Sequence, residues 1–206
     1  MAKNSTRVSE VILPEYIPDN LGTPFKVILR DSVRQIVDED TGKVEKTVIP
    51  NPRGLLQTIA ITRLVWPRKL SGADIKFVRK ALKIRANELA GMIEVSPEHL
   101  SRCEAGERVL SPGIEKCLRI AILLDLLRLP EPDSSKHQSE DSRQLFDHYA
   151  EALARLKAVM KGMHIPAAYD ASDELCLTFH VSKSSGSAPD HEDGERWNGE
   201  QAALAA

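Results

Sequence analysis

The stretch Glu88–Gly106, "ELAGMIEVSPEHLSRCEAG", holds two short apolar-patterned segments with a brief break between them, and a serine–proline pair opens the second. A chain that stops a helix after two turns and restarts it at once needs the second helix at a steep angle to the first. Two such helices share a small core and leave the second standing proud of the surface. Ser96 is placed to cap the second helix, and Pro97 suits its first position, where the missing N–H has no intrahelical partner to lose. Leu89, Ala90, Ile93, Leu100 and Cys103 fall inward, while Glu98 and Arg102, four residues apart, share the outer face.

The flanking sequence supplies further helices. Ser71 caps "GADIKFVRKALK", whose Ile75, Val78 and Leu82 form one stripe, and "ANELAGMI" follows. Gly106 is the stop for "SPEHLSRCEAG". Ser111 and Pro112 repeat the cap-and-proline start for "SPGIEKCLRIAILLDLLRL", whose apolar face is read as Ile114, Cys117, Leu118, Ala121 and Leu124. Upstream, "NPRGLLQTIAITRLVW" reads as a helix with Leu55, Ile59 and Leu64 on one side, ended by Pro67. Before it, "FKVILRDSVRQIVDEDTGKVEKTVIP" has two β-branched runs around an acidic glycine turn and reads as a β-hairpin. Downstream of a polar, proline-containing linker, Leu145, Tyr149, Leu153, Leu156 and Met160 predict a helix over 143–162, and "ELCLTFHV" reads as a strand.

Composition narrows the class. The 206 residues carry a formal charge of -2, 42% hydrophobic and 4% aromatic residues. No run is long and apolar enough for a membrane span, and the N-terminus lacks the apolar block of a secretory signal. Three widely spaced cysteines, with no C-x-x-C, argue against a disulfide framework or a zinc ribbon and predict a reducing, cytoplasmic setting. The charge is uneven. Residues 63–119 hold 12 Lys and Arg against 7 Asp and Glu, whereas residues 120–206 hold 8 against 15. A basic middle beside an acidic C-terminal third predicts one face meeting a polyanion.

Residues Leu70 to Ile120, including "FVRKALKIRANELAGMIEVSPEHLSRCEAGERVLSPGIEKCLRI", resemble the lambda-repressor/Cro (XRE) helix-turn-helix domain. The preceding "IPNPRGLLQTIAITRLVWPRKLSGADIKFVRKAL" is similar to the region that joins the zinc module to the DNA-binding domain in MqsA/YgiT-like antitoxin regulators. The hairpin stands where their zinc module would be, without its cysteines, so no metal site and no cofactor is carried over. The resemblance implies a buried structural pair, Arg79 with Glu104. It implies a groove-facing, base-contacting set of Ser96, Pro97, Glu98, His99 and Arg102, since arginine donates to guanine and glutamate accepts from the cytosine amino group. Arg85, Ser101 and Arg108 are the implied phosphate contacts. Two positions depart from the family: Ala86 replaces a backbone-contacting glutamine, and Glu94 stands where the turn often holds glycine.

The expected fold is mainly α with a small β part: a lambda-repressor-like helical DNA-binding domain, preceded by a β-hairpin and helix and followed by a C-terminal helical segment. The expected boundaries are a flexible arm (1–22), a hairpin-plus-helix partner or dimer module (23–68), the DNA-binding domain (69–129), a linker (130–142), the C-terminal helix and strand (143–182) and a disordered tail (183–206). The expected function is a sequence-specific transcriptional regulator, a homodimeric repressor of its own operon on a palindromic operator of double-stranded DNA. The alternative is an antitoxin-type protein that neutralises a toxin or other protein partner by direct binding. An enzyme is not expected. The sequence has no glycine-rich phosphate loop and no H-E-x-x-H, its C-terminal histidines are scattered, and its paired acids sit in a turn or the tail.

Overall fold

The computed structural model describes residues 7–127, 175–183 and 195–200, together with residues 157, 161, 165, 166 and 168. The chain divides into two compact units, residues 1–60 with 171–206, and residues 61–170.

The first unit is a five-stranded mixed sheet. β1 (Val8–Tyr16), β2 (Lys26–Asp38) and β3 (Val44–Val48) come from the N-terminal region, β4 (Cys176–Lys183) and β5 (Glu195–Glu200) from the C-terminal one. The strand path is β1-β2-β4-β5, with β3 also on β2. β2 runs antiparallel to β1 and β3 but parallel to β4. The β2–β3 turn follows from its residues: the Asp38 carboxylate accepts the amide of Asp40 at 2.9 Å, and Gly42 takes a φ of 65°. The Thr41 hydroxyl and then the Asp40 amide hold that carboxyl below its usual range.

β2 can serve three neighbours because it is kinked. Two of its residues, Asp31 and Ser32, fall between the pairs Leu13↔Val33 and Glu15↔Arg30, and Asp31 has a φ of 48°. This is a β-bulge. Before it, Lys26–Arg30 pair with β4; after it, Arg34–Val37 pair with β3. The Ser32 hydroxyl accepts the Val181 amide at 2.8 Å and so extends the β4 ladder past the bend. The register puts Val27, Leu29, Leu177, Phe179 and Trp197 on one buried face. The Trp197 indole donates to the Pro50 carbonyl at 3.0 Å, which satisfies its N–H inside that apolar layer.

These observations correct the expected class. The chain is not mainly α with a small hairpin; a five-stranded mixed sheet is as prominent as its helices. The segment expected as a flexible arm contains β1, and the segment expected as a disordered tail contains β5. The strand expected at the end of 143–182 is β4, and it belongs to the sheet formed by the N-terminal strands. The cause is range: the hydrogen bond between Ser32 and Val181 spans 149 positions, and no local pattern carries such a pairing. The linker expected over 130–142 and the helix expected over 143–162 lie outside the described residues, apart from the isolated positions 157 and 161.

Among the described residues the second unit is helical. α1 (Pro52–Val65) spans residue 60, where the division between the units falls in the sequence. α2 (Gly72–Ala81), α3 (Ala86–Met92), α4 (Pro97–Glu104) and α5 (Pro112–Leu127) follow. Ser71 and Asp74 form a reciprocal capping box, and the Ser96 and Ser111 hydroxyls accept the amides of His99 and Ile114. Ile75, Val78, Leu89, Ala90, Ile93, Leu100, Cys103, Leu118 and Ile122 make the core.

Five charged side chains are buried beside that core: Arg63, Lys69, Asp74, Glu115 and Arg119. Arg63 pairs with Asp74 at 2.8 Å. Glu115 receives Lys69 at 2.8 Å, Arg119 at 2.8 Å and the Leu70 amide at 3.0 Å. The Arg119 guanidinium also donates to the carbonyls of Leu64, Trp66 and Arg68. It therefore closes the C-terminal end of α1, where backbone carbonyls have no helical partner and the dipole favours a cation. This cluster moves the inward face of α5. Glu115, Leu118, Arg119 and Ile122 are buried, whereas Cys117 is exposed and Ile114, Ala121 and Leu124 are half-buried. Of the apolar face expected on α5, Leu118 alone is fully buried.

Phe179→Ala tests whether the C-terminal strands are part of the core. We expect a loss of about 3–5 kcal/mol in chemical denaturation, the usual cost of a large aromatic truncated in a packed interior. A loss within about 0.5 kcal/mol, as at a surface position, would contradict the sheet.

Candidate nucleic-acid interface

α3 and α4 are set by how each helix ends. After α3 the amide of Val95 donates to the Ala90 carbonyl at 3.0 Å and that of Glu94 to Gly91 at 3.3 Å. After α2 the amides of Ile84 and Lys83 reach Arg79 and Lys80 in the same pattern, and after α4 those of Glu107 and Gly106 reach Arg102 and Cys103. All three exits are Schellman motifs, which turn the chain sharply and satisfy the last carbonyls. Each needs a left-handed residue. Gly106 supplies one at φ 80°, but Lys83 at 60° and Glu94 at 53° do so against their Cβ atoms.

α2 holds α4 from behind. Arg79 donates from Nε and Nη2 to the two carboxylate oxygens of Glu104, at 2.6 and 2.8 Å, and from Nη1 to the Ile84 carbonyl. One guanidinium thus joins α2, the α2–α3 loop and the end of α4. The pair is mostly shielded, with side-chain exposures of 15% and 9%, and the Glu104 bond raises the Arg79 pKa. Nearby, Gly72 sits so close to the α4 exit that an added Cβ would stand 2.0 Å from the Cys103 carbonyl oxygen. The periodicity had no means of marking this contact, since Gly72 reads merely as the residue after a cap.

With its inner side fixed by Leu100 and Cys103, α4 presents its other side to solvent. Ser96, Pro97, Glu98, Ser101 and Arg102 are exposed, and His99 is half-buried. The Glu98 carboxyl lies below its usual range, first because its own backbone amide and then because the Ser96 hydroxyl bonds to it, with Arg102 adding charge. It is therefore ionised at neutral pH. Because the folded pKa is depressed, the stability that these bonds contribute is present above the ordinary carboxylate range and is lost as pH falls through the folded value.

The three implied phosphate contacts lie at separate points around α4. Arg85 is exposed at the N-terminal end of α3, where its amide donates to Glu88 at 3.3 Å. Ser101 is exposed on α4 itself, and Arg108 is exposed just beyond it. The amides of Glu107 and Arg108 both donate to the Arg102 carbonyl, which ties the segment carrying Arg108 to the helix carrying Arg102. Ala86, at the first position of α3, offers no side-chain donor.

The sequence reading missed the buried charges Arg63, Lys69, Glu115 and Arg119 behind this surface. Their signal was a charged residue recurring at helical spacing, Glu115 with Arg119, next to Leu118 and Ile122. Among the described residues no group of His, Cys, Asp and Glu is placed to hold a metal, and no helix is long and apolar enough to cross a membrane. No protein-family model, no curated protein and no solved structure matches the chain.

Two substitutions check this frame by thermal and chemical denaturation. Glu94→Gly removes left-handed strain and should stabilise the protein by about 1 kcal/mol; no gain would mean that the turn differs from the one described. Gly72→Ala forces a methyl group onto backbone and should destabilise by about 1–3 kcal/mol, where an ordinary first-turn glycine would tolerate alanine.

Proposed function

We propose that this chain is a sequence-specific DNA-binding transcriptional regulator, a cytoplasmic homodimeric repressor of its own operon, in keeping with its resemblance to lambda-repressor/Cro regulators over Leu70 to Ile120. The observation that carries the reading is the polar outer side of α4. Ser96, Pro97, Glu98 and Arg102 are exposed on a short helix whose far side is anchored by Leu100, Cys103 and the Arg79–Glu104 pair. Such a helix fits the major groove, with its first turns toward base edges. Arg102 would donate to guanine and Glu98 accept from cytosine, while Arg85, Ser101 and Arg108 would meet phosphates and set the register.

One such module reads only a few base pairs, so useful specificity calls for two copies on a two-fold symmetric site. The side of α5 with exposed Cys117 and half-buried Ile114, Ala121 and Leu124 is available as a dimer element. A second reading, direct binding of a toxin or other protein, has its own support. Val8, Val11, Ile12 and Ile17 are exposed on and just after the edge strand β1. Exposed apolar edges of this kind are places where another chain adds a strand. The two roles are compatible.

The test uses duplexes enriched by the protein from a randomised pool. Arg102→Ala should weaken binding to the enriched sequence by about 1–3 kcal/mol and relax preference at one base position per half-site. Affinity should fall steeply with salt, since neutralised phosphates release counterions. Enrichment of no sequence, or undiminished discrimination in the Arg102 variant, would overturn the assignment of α4.

A further inference from the structure

Lys69 lies between α1 and α2 and is 2% exposed. Its ammonium group donates to the Leu110 carbonyl at 2.5 Å and pairs with Glu115 at 2.8 Å. Charge neutrality does not call for it. The buried cluster holds three cations, Arg63, Lys69 and Arg119, against two carboxylates, Asp74 and Glu115. With an apolar residue at position 69, Arg63–Asp74 and Arg119–Glu115 would remain as one-to-one pairs. A buried cation with no carboxylate of its own is costly, so its place in the cluster calls for a reason beyond charge balance. What Lys69 adds is a counter-charge at the Glu115 Oε2, which Arg119 does not reach, and a buried donor to Leu110.

Leu110, itself buried, ends the segment that starts at Glu107. At the near end of this segment the Glu107 and Arg108 amides are held by the Arg102 carbonyl; at the far end the Leu110 carbonyl is held by Lys69. Arg108, at the near anchor, and Val109, between the two, are exposed. We propose that Lys69 is a positioning residue for DNA binding: by pinning Leu110 it holds the exposed Arg108 in register with Arg102, so that one arginine meets a phosphate while the other reads a base. The proposal rests on the DNA-binding reading above and deepens it. Lys69 itself, being buried, touches no DNA.

The experiment compares the full-length protein with Lys69→Met, Arg108→Ala and the double variant. Two readouts are taken: affinity for a fluorescein-labelled mixed-sequence duplex across a salt series, and amide hydrogen exchange of residues 107–110 against α2. In Lys69→Met the salt slope should become shallower by about 0.9, as in Arg108→Ala, and the double variant should be no shallower than either. A residue that merely stabilised the fold would leave the slope alone or add to the Arg108 loss. Exchange over 107–110 should quicken while α2 keeps its protection. If Lys69→Met does not fold, Lys69→Gln, uncharged but still a donor, takes its place and should keep the wild-type slope; a slope as shallow as that of Arg108→Ala would overturn the role. A wild-type slope and unchanged exchange in Lys69→Met overturn the Lys69 assignment alone. A flat salt response in the wild-type protein overturns the DNA reading and the phosphate role with it.

Discussion

The helical unit depends on one carboxylate. Glu115, fully buried on α5, receives Lys69, Arg119 and the Leu70 amide, and Arg119 in turn closes the end of α1. Burying an ion pair contributes little net stability, because desolvation offsets most of the attraction, and desolvation indeed draws the Arg119 pKa down against the pull of Glu115. Breaking such a pair is another matter. Stranding one buried charge costs about 3–5 kcal/mol, a large fraction of the stability of a domain. The cluster therefore acts as a constraint on arrangement: the end of α1, residues 66–70 and the start of α5 hold together as one piece or the unit unfolds.

The proposed reading surface is assembled from weaker effects on that base. The Schellman exits of α2, α3 and α4 fix the angles between successive helices, and two of them carry left-handed strain at Lys83 and Glu94. Strain of this kind persists only where surrounding contacts over-determine the conformation. Buried Ile84, the Arg79–Glu104 fork and the close approach of Gly72 to the α4 exit supply those contacts. None of these features touches the outer side of α4. Together they leave it short, polar and exposed, which is the property on which the functional proposal stands.

The sheet unit is governed by the kink in β2. A straight strand would offer each edge to one neighbour; the bulge at Asp31 and Ser32 lets one edge take β4 first and β3 afterwards. The strand order follows from that bend, and with it the burial of Phe179 and Trp197, which come from far along the chain. β1 remains at the edge with apolar side chains exposed, a surface of a different character from the polar side of α4.

Taken by itself, the sequence determined whatever depends on neighbours a few positions apart. Ser71, Ser96 and Ser111 with the prolines after the last two mark helix starts; Gly106 marks a stop; and the acidic glycine turn at 38–43 marks the β2–β3 hairpin. Glu98 and Arg102 were legible as an outward pair because helical spacing alone fixes which residues share a face. Tertiary structure decided the rest. β1 lacks clean alternation because its side chains stay exposed, and β5, "ERWNGE", has little strand character of its own, so both become strands only through their partners. Glu115 and Arg119 escaped the reading of α5 because an ion pair occupies inward positions that periodicity expects to be apolar. Pairing across 149 residues and charge compensation inside a core are properties of three-dimensional proximity, and a linear pattern does not encode them locally.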